Sequence, residues 1–439
     1  MQLTIEKLIY GGDGLARLPA DAKGRGKAAF VPFTLPGETV DVAIREQKPG
    51  FVRAEASQIL QASPDRIEAG CPYFRKCGGC HYQHANYSHQ LKIKTEILRE
   101  NLRRLAKVEL DSEIQVHESP PWNYRNRTRL QVRAGSGFTL GYFKRSSHEL
   151  LAVETCPISS PLLNRAIAVL WQLGRAGQVP LLLREIELFA DADDLQLQVE
   201  VYGSNESSHP STHQPRAFAE QLRAALPEVA SAFLFSQIPG NAPASQGSSS
   251  EKPHQMLGPA ELFYRTKTAS LRVSAGSFFQ VNRFLLDELV SIVTGGRSGE
   301  LALDLYAGVG LFTVALARSF GHIVAVESSQ SSAGDLQYNS PANVKVVRSS
   351  VEQYLGGKGA KMRADLIVVD PPRAGLGERV AQSVAKLDAQ RLTYVSCDPA
   401  TLARDLTLLL AAGYRVEQAH LLDLFPQTYH LETVLEMVR

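Results

Sequence analysis

Cysteine is scarce, five thiols in 439 residues. An odd, small count disfavours a disulfide scaffold and directs attention to metal ligation or nucleophilic chemistry. Long apolar runs are missing, and the opening MQLTIEKLIY mixes acid and base without an apolar segment. Neither a membrane span nor a secretory leader is expected, and the protein is read as cytoplasmic. Net charge is also slight: 47 Lys and Arg against 45 acids leave +2, which neither demands nor forbids a nucleic-acid partner. What remains is ordinary globular usage, 44% hydrophobic and 21% charged, in a length that predicts about three domains.

The pattern along the chain predicts an α/β plus β protein. In residues 1–60, short alternating runs such as Val40, Val42 and Ile44 are broken by Gly11–Gly14 and Pro36-Gly37, the pattern of a small β-barrel. Residues 61–280 carry a cysteine-dense stretch and a basic amphipathic helix, Tyr87 to Leu105, with Lys92, Lys94, Arg99, Arg103 and Arg104 off its apolar face. Strand-like and helical runs follow, with two polar stretches, 203–215 and 240–255, predicted as loops. Residues 281–439 hold five apolar runs, LALDL, HIVAV, NVKVV, DLIVV and LTYVS, alternating with helical segments. That alternation predicts a doubly wound, Rossmann-like domain.

Several candidate sites fall at the strand ends of this last domain. Asp304-Leu-Tyr306-Ala-Gly308-Val-Gly310 follows one strand and opens a helix expected over Leu311 to Ser319, so its glycines let backbone approach a nucleotide-like ligand. Glu327 ends the next strand, where an acid commonly accepts ribose hydroxyls. The third glycine of a dinucleotide fingerprint is absent, which fits an adenosyl-methionine methyl donor better than NAD. Asp370-Pro-Pro-Arg-Ala-Gly375 closes another strand on the same edge. Ser396-Cys397-Asp398-Pro399 places a thiol at a helix start, where the dipole is expected to favour thiolate. Glu432 leads into the last strand.

With Cys397 set aside as a nucleophile, Cys71, Cys77, Cys80 and Cys156 remain, the number needed for a 4Fe-4S cluster, although four thiolates equally suit zinc. Between Trp122 and Arg145 stand six basic residues (Arg125, Arg127, Arg129, Arg133, Lys144, Arg145), five aromatics and no acid, a combination that predicts contact with unstacked RNA.

FFQVN (Phe278 to Asn282), DLYAGVG, DPPRAG, SCDP and HLE, in this order, resemble the RNA uracil-5-methyltransferase family over nearly the whole chain. That resemblance implies S-adenosylmethionine as methyl donor, Cys397 as nucleophile and Glu432 as general base. It also implies cofactor and substrate contacts from Gln280, Tyr306, Gly308, Gly310, Glu327 and Asp370. The CPYFRKCGGC segment resembles relatives that bind a structural 4Fe-4S cluster, and Cys71, Cys77, Cys80 and Cys156 occupy the matching places. Its spacing does not match that of radical enzymes. Pro32 to Val40 resembles the TRAM module, an RNA-binding barrel. Leu311 and Ser350 depart from the family pattern, standing where Asn and where Asp or Asn are frequent. Barrel and cysteines together favour 23S ribosomal RNA over the T-loop of transfer RNA as substrate, with a non-catalytic RNA-binding scaffold as the rival of another class. A monomer is expected.

Overall fold

The structure, a computed structural model, describes residues 1–20, 26–110, 113–203, 213–235 and 253–439. Three β-rich bodies follow one another along the chain. In the first, a six-stranded sheet runs in the order Gln2–Thr4, Thr39–Gln47, Phe51–Gln61, Ala28–Pro32, Asp13–Arg17, Lys7–Leu8. Its two edge strands are consecutive pieces of one extended segment. Ile5 donates to Glu38 O and Glu6 to Leu15 O, so the sheet closes on itself as a barrel. Leu3, Val31, Val40, Val42 and Val52 alternate inward to fill it.

The second body is a seven-stranded sheet that begins with Leu150–Ala152, Thr139–Phe143 and Arg127–Arg133 and continues through Leu183–Ala190, Leu197–Gly203, Val229–Phe235 and His254–Leu257. Helix Pro161–Arg175 packs Leu163, Ile167 and Leu170 on it, with Ser160 capping the helix by accepting from Leu163 N. Most of the two polar stretches expected to be loops, 203–215 and 240–255, lies outside the described residues. At their described edges Gly203 ends a strand, His213 opens a helix and His254 opens a strand.

The third body is an eight-stranded sheet. From its outer edge run Val344–Arg348, Phe320–Glu327, Gly299–Leu305, Leu366–Val369 and Arg391–Ser396, all parallel. Glu432–Val438 and Arg415–Leu422 continue it antiparallel. Leu303, Leu305, Ile367 and Val369 face one hydrophobic core, and Ala302, Leu366 and Val368 face another. Burial on both faces explains why these strands read as unbroken apolar runs. Strand order reverses between Gly299–Leu305 and Leu366–Val369, and their carboxyl ends therefore border the crevice where open α/β sheets bind ligands.

Gln115–His117, far upstream, completes this sheet by pairing with Arg415–Leu422. The helix before it, Tyr87–Asn101 with a π-turn over Leu102–Ala106, packs Ile93, Ile97, Leu98 and Leu102 with Leu402, Leu406 and Leu409 of helix Pro399–Ala411. Lys94 corrects the sequence reading of a uniformly exposed basic face. It is fully buried and binds Asp423 at 2.6 Å and the Phe425 carbonyl at 3.0 Å. The helix after the glycine turn is also shorter than expected, Leu311–Leu316. No described helix is long and apolar enough to cross a membrane.

Candidate active site

The first wall of the crevice is the turn after Gly299–Leu305. Tyr306 (φ 70°), Gly308 (φ 57°) and Gly310 (φ 97°) all hold left-handed backbone, and the amides of Tyr306 and Ala307 both donate to Val326 O. A left-handed tyrosine is uncommon enough to mark a site held in place by its surroundings. Glu327 anchors the turn: its Oε2 accepts from Gly308 N at 2.9 Å and its Oε1 from Ser329 N at 2.6 Å. A Cβ added to Gly308 would meet nothing within 4 Å, so the turn borders open space. Asp304 below it is fully buried; Oδ2 accepts from the Thr313 hydroxyl while Oδ1 has no partner. Burial, with Glu327 adding repulsion, pushes Asp304 up to about 6. Burial and then Asp304 push Asp370, at the end of the neighbouring strand, up to about 7. Gln280 is half-buried on a segment tied down at Ser277, which donates to Asp335, and at Asn282, which bonds Ser119 and Leu424 O.

The second wall carries the thiol. Ser396 pairs with Thr433 in the antiparallel ladder, so the next residue on one strand, Cys397, and the preceding one on the other, Glu432, are brought opposite each other at the end of that ladder. Their electrostatics reflect this. Burial first and Glu432 second push the Cys397 thiol up to about 12, against the pull of Arg373. The expected thiolate is therefore not the resting form. Asp398 already accepts from Ala400 and Thr401 N at 3.0 Å each, so a carboxylate satisfies the helix start that was expected to serve the thiol. Glu432 is itself raised well above an ordinary glutamate by burial and by Asp370, again opposed by Arg373.

Four residues that the sequence reading did not single out complete this wall. Tyr10 reaches in from the barrel and donates to the Cys397 carbonyl at 3.0 Å. Tyr429 receives Tyr10 and His81 edge-on, with ring centroids 5.3 and 4.6 Å away. His430 stands 3.4 Å from the Arg373 guanidinium, and burial followed by that cation holds it down to about 3, a neutral imidazole. Arg373 and His430 lie inside the quoted motifs and Tyr429 directly precedes one, whereas Tyr10 has only the adjacent glycines as a signal. The strap before Glu432 is fastened from helix Tyr87–Asn101: besides Lys94 on Asp423, Gln90 and Gln427 exchange two bonds of 3.0 Å.

Away from the crevice, Cys71, Cys77, Cys80 and Cys156 line one cavity of 380 Å³ with Arg125 and Tyr142. Burial, with Cys156 adding repulsion, raises Cys71 and Cys80, and burial pushes Cys77 up to about 11. Among the described residues no three His, Cys, Asp or Glu side chains are grouped so as to hold a metal ion.

Four of the six basic residues in this run are not the free basic surface expected from its lack of local acids. Arg127 and Arg129 both bind Glu187 from the adjacent strand, Arg129 at 2.6 Å. Lys144 pairs with Glu149, and Arg145 with Asp13 at 2.8 Å. Glu187 and Asp13, distant in sequence, and Glu149 just beyond the run supply the missing carboxylates.

A family model described as tRNA (Uracil-5-)-methyltransferase matches residues 259–439, and the TRAM domain model matches residues 1–57. The chain is 33% identical over 447 residues to the 23S rRNA (uracil(1939)-C(5))-methyltransferase RlmD of Pseudomonas putida, covering 99% of this chain and 92% of that one. It is 31% identical over 446 residues to an uncharacterized RNA methyltransferase of Aquifex aeolicus, covering 99% and 97%. Among solved structures, the Pyrococcus abyssi tRNA (uracil-54, C5)-methyltransferase in complex with S-adenosyl-L-homocysteine is 25% identical, with a TM-score of 0.75 and full coverage of both chains.

Proposed function

The chain belongs to the S-adenosylmethionine-dependent RNA uracil-C5-methyltransferases, and on that premise we propose that it methylates C5 of a uridine in 23S ribosomal RNA, with Cys397 as nucleophile and Glu432 as base. The observation that carries the chemistry is the strand register that sets Cys397 opposite Glu432 at the end of a paired ladder. The ribosomal substrate is favoured by full-length likeness to the Pseudomonas putida enzyme.

The crevice suits the methyl donor. Asp304 Oδ1 is a buried acceptor without a donor, Gly308 borders empty space, and the acids Asp304 and Asp370 stand desolvated with no cation beside them among the described residues. Asp370, Gln280 and Tyr306 would line the donor and the neighbouring base, with Glu327, Gly308 and Gly310 forming the turn against it. When bound, S-adenosylmethionine supplies an electrophilic methyl group and a positive sulfonium.

Uracil C5 is a poor nucleophile, and Cys397 overcomes this by giving up its proton to solvent and adding as thiolate to C6, which moves an electron pair into an enolate centred on C5 and O4. Arg373 is the cation placed to steady that negative charge. After C5 has accepted the methyl group, Glu432 removes the C5 proton. The C5–C6 double bond reforms with that electron pair and the C6–S bond breaks, returning Cys397. The uracil must leave its stack to reach a thiol this enclosed.

Although no three of the thiols are grouped about a point that would hold one metal ion, all four line one cavity, which leaves room for a 4Fe-4S cluster rather than a single zinc ion at about 2.3 Å from each sulfur. Cys71, Cys77, Cys80 and Cys156 would hold it as a structural tie. Protein prepared without oxygen is expected to carry about four irons and four acid-labile sulfides per chain; stoichiometric zinc would contradict this.

The substrate reading is tested with methyl-labelled S-adenosylmethionine and separated ribosomal and transfer RNA, followed by mapping of 5-methyluridine by mass spectrometry. Label in 23S RNA is expected. Label in transfer RNA alone would replace the ribosomal reading with the transfer-RNA one, and label in neither would leave a binding scaffold.

A further inference from the structure

Where the barrel meets the cysteine-bearing loop there is a second cavity, of 500 Å³, lined by Phe33, Ser57, Gln58, Arg75, Arg145 and Ser146 among others. Three of these, Phe33 (φ 60°), Arg75 (φ 69°) and Ser146 (φ 51°), hold left-handed backbone. Such strain persists only where the surroundings over-determine it, and it concentrates at ligand clamps. The Phe33 ring is fixed from behind by Phe74, edge-on at 5.2 Å, which stacks in turn on His84 at 5.7 Å. Two guanidiniums approach that ring, Arg145 at 4.9 Å and Arg75 at 5.9 Å from its centroid. Arg145 is steered by Asp13, but Arg75 is exposed and pairs with no acid among the described residues. The only acid in the lining, Glu55, is engaged by Arg45 at 2.7 Å.

An immobilised aromatic ring flanked by planar cations has the chemistry of a stacked nucleobase with its phosphate. We propose that this seam is an RNA subsite that holds one unstacked nucleotide of the substrate, its base on Phe33 and its phosphate at Arg75 and Arg145. The inference rests on the reading of the substrate as RNA. It also gives the four thiols a task in recognition. Arg75 lies on the loop between Cys71 and Cys77, Cys77 pairs in a β-bridge with Lys144, and Arg145 N donates to Lys76 O at 3.0 Å. Whatever clamps the thiols therefore also holds the backbone that carries both arginines.

The full chain is tested against protein-free 23S ribosomal RNA and against transfer RNA by filter binding over a salt series. Arg75→Gln, at an exposed position, is expected to weaken binding severalfold and to lower the slope of log K against log salt by about 0.7–0.9, one phosphate contact. Phe33→Gly, where glycine accepts the left-handed backbone, is expected to weaken binding about tenfold with the slope unchanged. Wild-type affinity and slope in both variants, for whichever RNA the wild type binds, would overturn the subsite and leave the function standing. A wild type that binds neither RNA would overturn both.

Discussion

The hydroxyl of Tyr10 donates a 3.0 Å hydrogen bond to the carbonyl of Cys397, 387 residues away in sequence. The first body of the chain thus touches the backbone of the candidate nucleophile in the third. Tyr10→Phe keeps the ring packed on Tyr429 and removes one neutral hydrogen bond, a loss of about 1 kcal/mol. Single-turnover methyl transfer is expected to slow about fivefold, with S-adenosylmethionine affinity unchanged. An unchanged rate would show that the barrel only binds RNA.

The Cys397 thiol is pushed up to about 12 by burial and by Glu432, so it is expected to resist alkylation at neutral pH and to react faster as pH rises. A bound sulfonium should favour the thiolate. Iodoacetamide labelling of Cys397, followed by peptide mass spectrometry, is expected to run about tenfold faster with S-adenosylmethionine bound than with uncharged S-adenosylhomocysteine. Glu432→Gln, which removes the largest charge repulsion, should also speed labelling while abolishing turnover. Equal labelling in all these states would contradict the electrostatic account.

Lys94 and Asp423 are both fully buried and bind each other at 2.6 Å in front of the strap that leads to Glu432. Burial holds Lys94 below an ordinary lysine, partly offset by Asp423. Lys94→Met strands the carboxylate and is expected to cost about 3–5 kcal/mol in denaturant melts. Lys94→Met with Asp423→Asn together should recover most of that loss. A double variant no more stable than the single one would show that the pair does not act as a unit.

Asp370 is pushed up to about 7 from an ordinary 3.8. A raised acid pKa means that the folded chain holds the proton more tightly than the unfolded one, so the group's contribution is complete below about pH 4 and is lost as pH climbs through about 7. Asp370→Asn removes that loss. Its melting temperature is expected to exceed the wild type's by roughly 2 °C or more at pH 8, and by less at pH 5, at the expense of methyl transfer. A gain larger at pH 5 would reverse the sign of the linkage.

Much of the third body could be read from local pattern. Strands buried on both faces leave apolar runs such as Leu366–Val369, and the DLYAGVG turn follows directly from one of them. Its edge could not be read that way, because Gln115–His117 enters from upstream of the central seven-stranded sheet with only three residues of pairing. The charged residues misled for the same reason. Lys94 and Arg127 look solvent-facing by spacing alone, and their partners Asp423 and Glu187 arrive only through tertiary packing. Cys397 stands just before a helix start, as expected, but its ionisation is set first by burial and then by Glu432, both products of tertiary packing. Tyr10 carries no motif, since its role arises where two bodies meet.

The temporary Cys397–C6 bond is tested most directly by incubating the protein with S-adenosylmethionine and RNA in which 5-fluorouridine replaces uridine, and weighing the product. Fluorine at C5 cannot leave as a proton, so release of the thiol is blocked. The expected result is a stable protein–RNA adduct with one added methyl group, mapped to the peptide bearing Cys397 and missing in Cys397→Ala. An adduct that survives that substitution, or methylated RNA released freely from the wild type, would contradict covalent catalysis by this thiol.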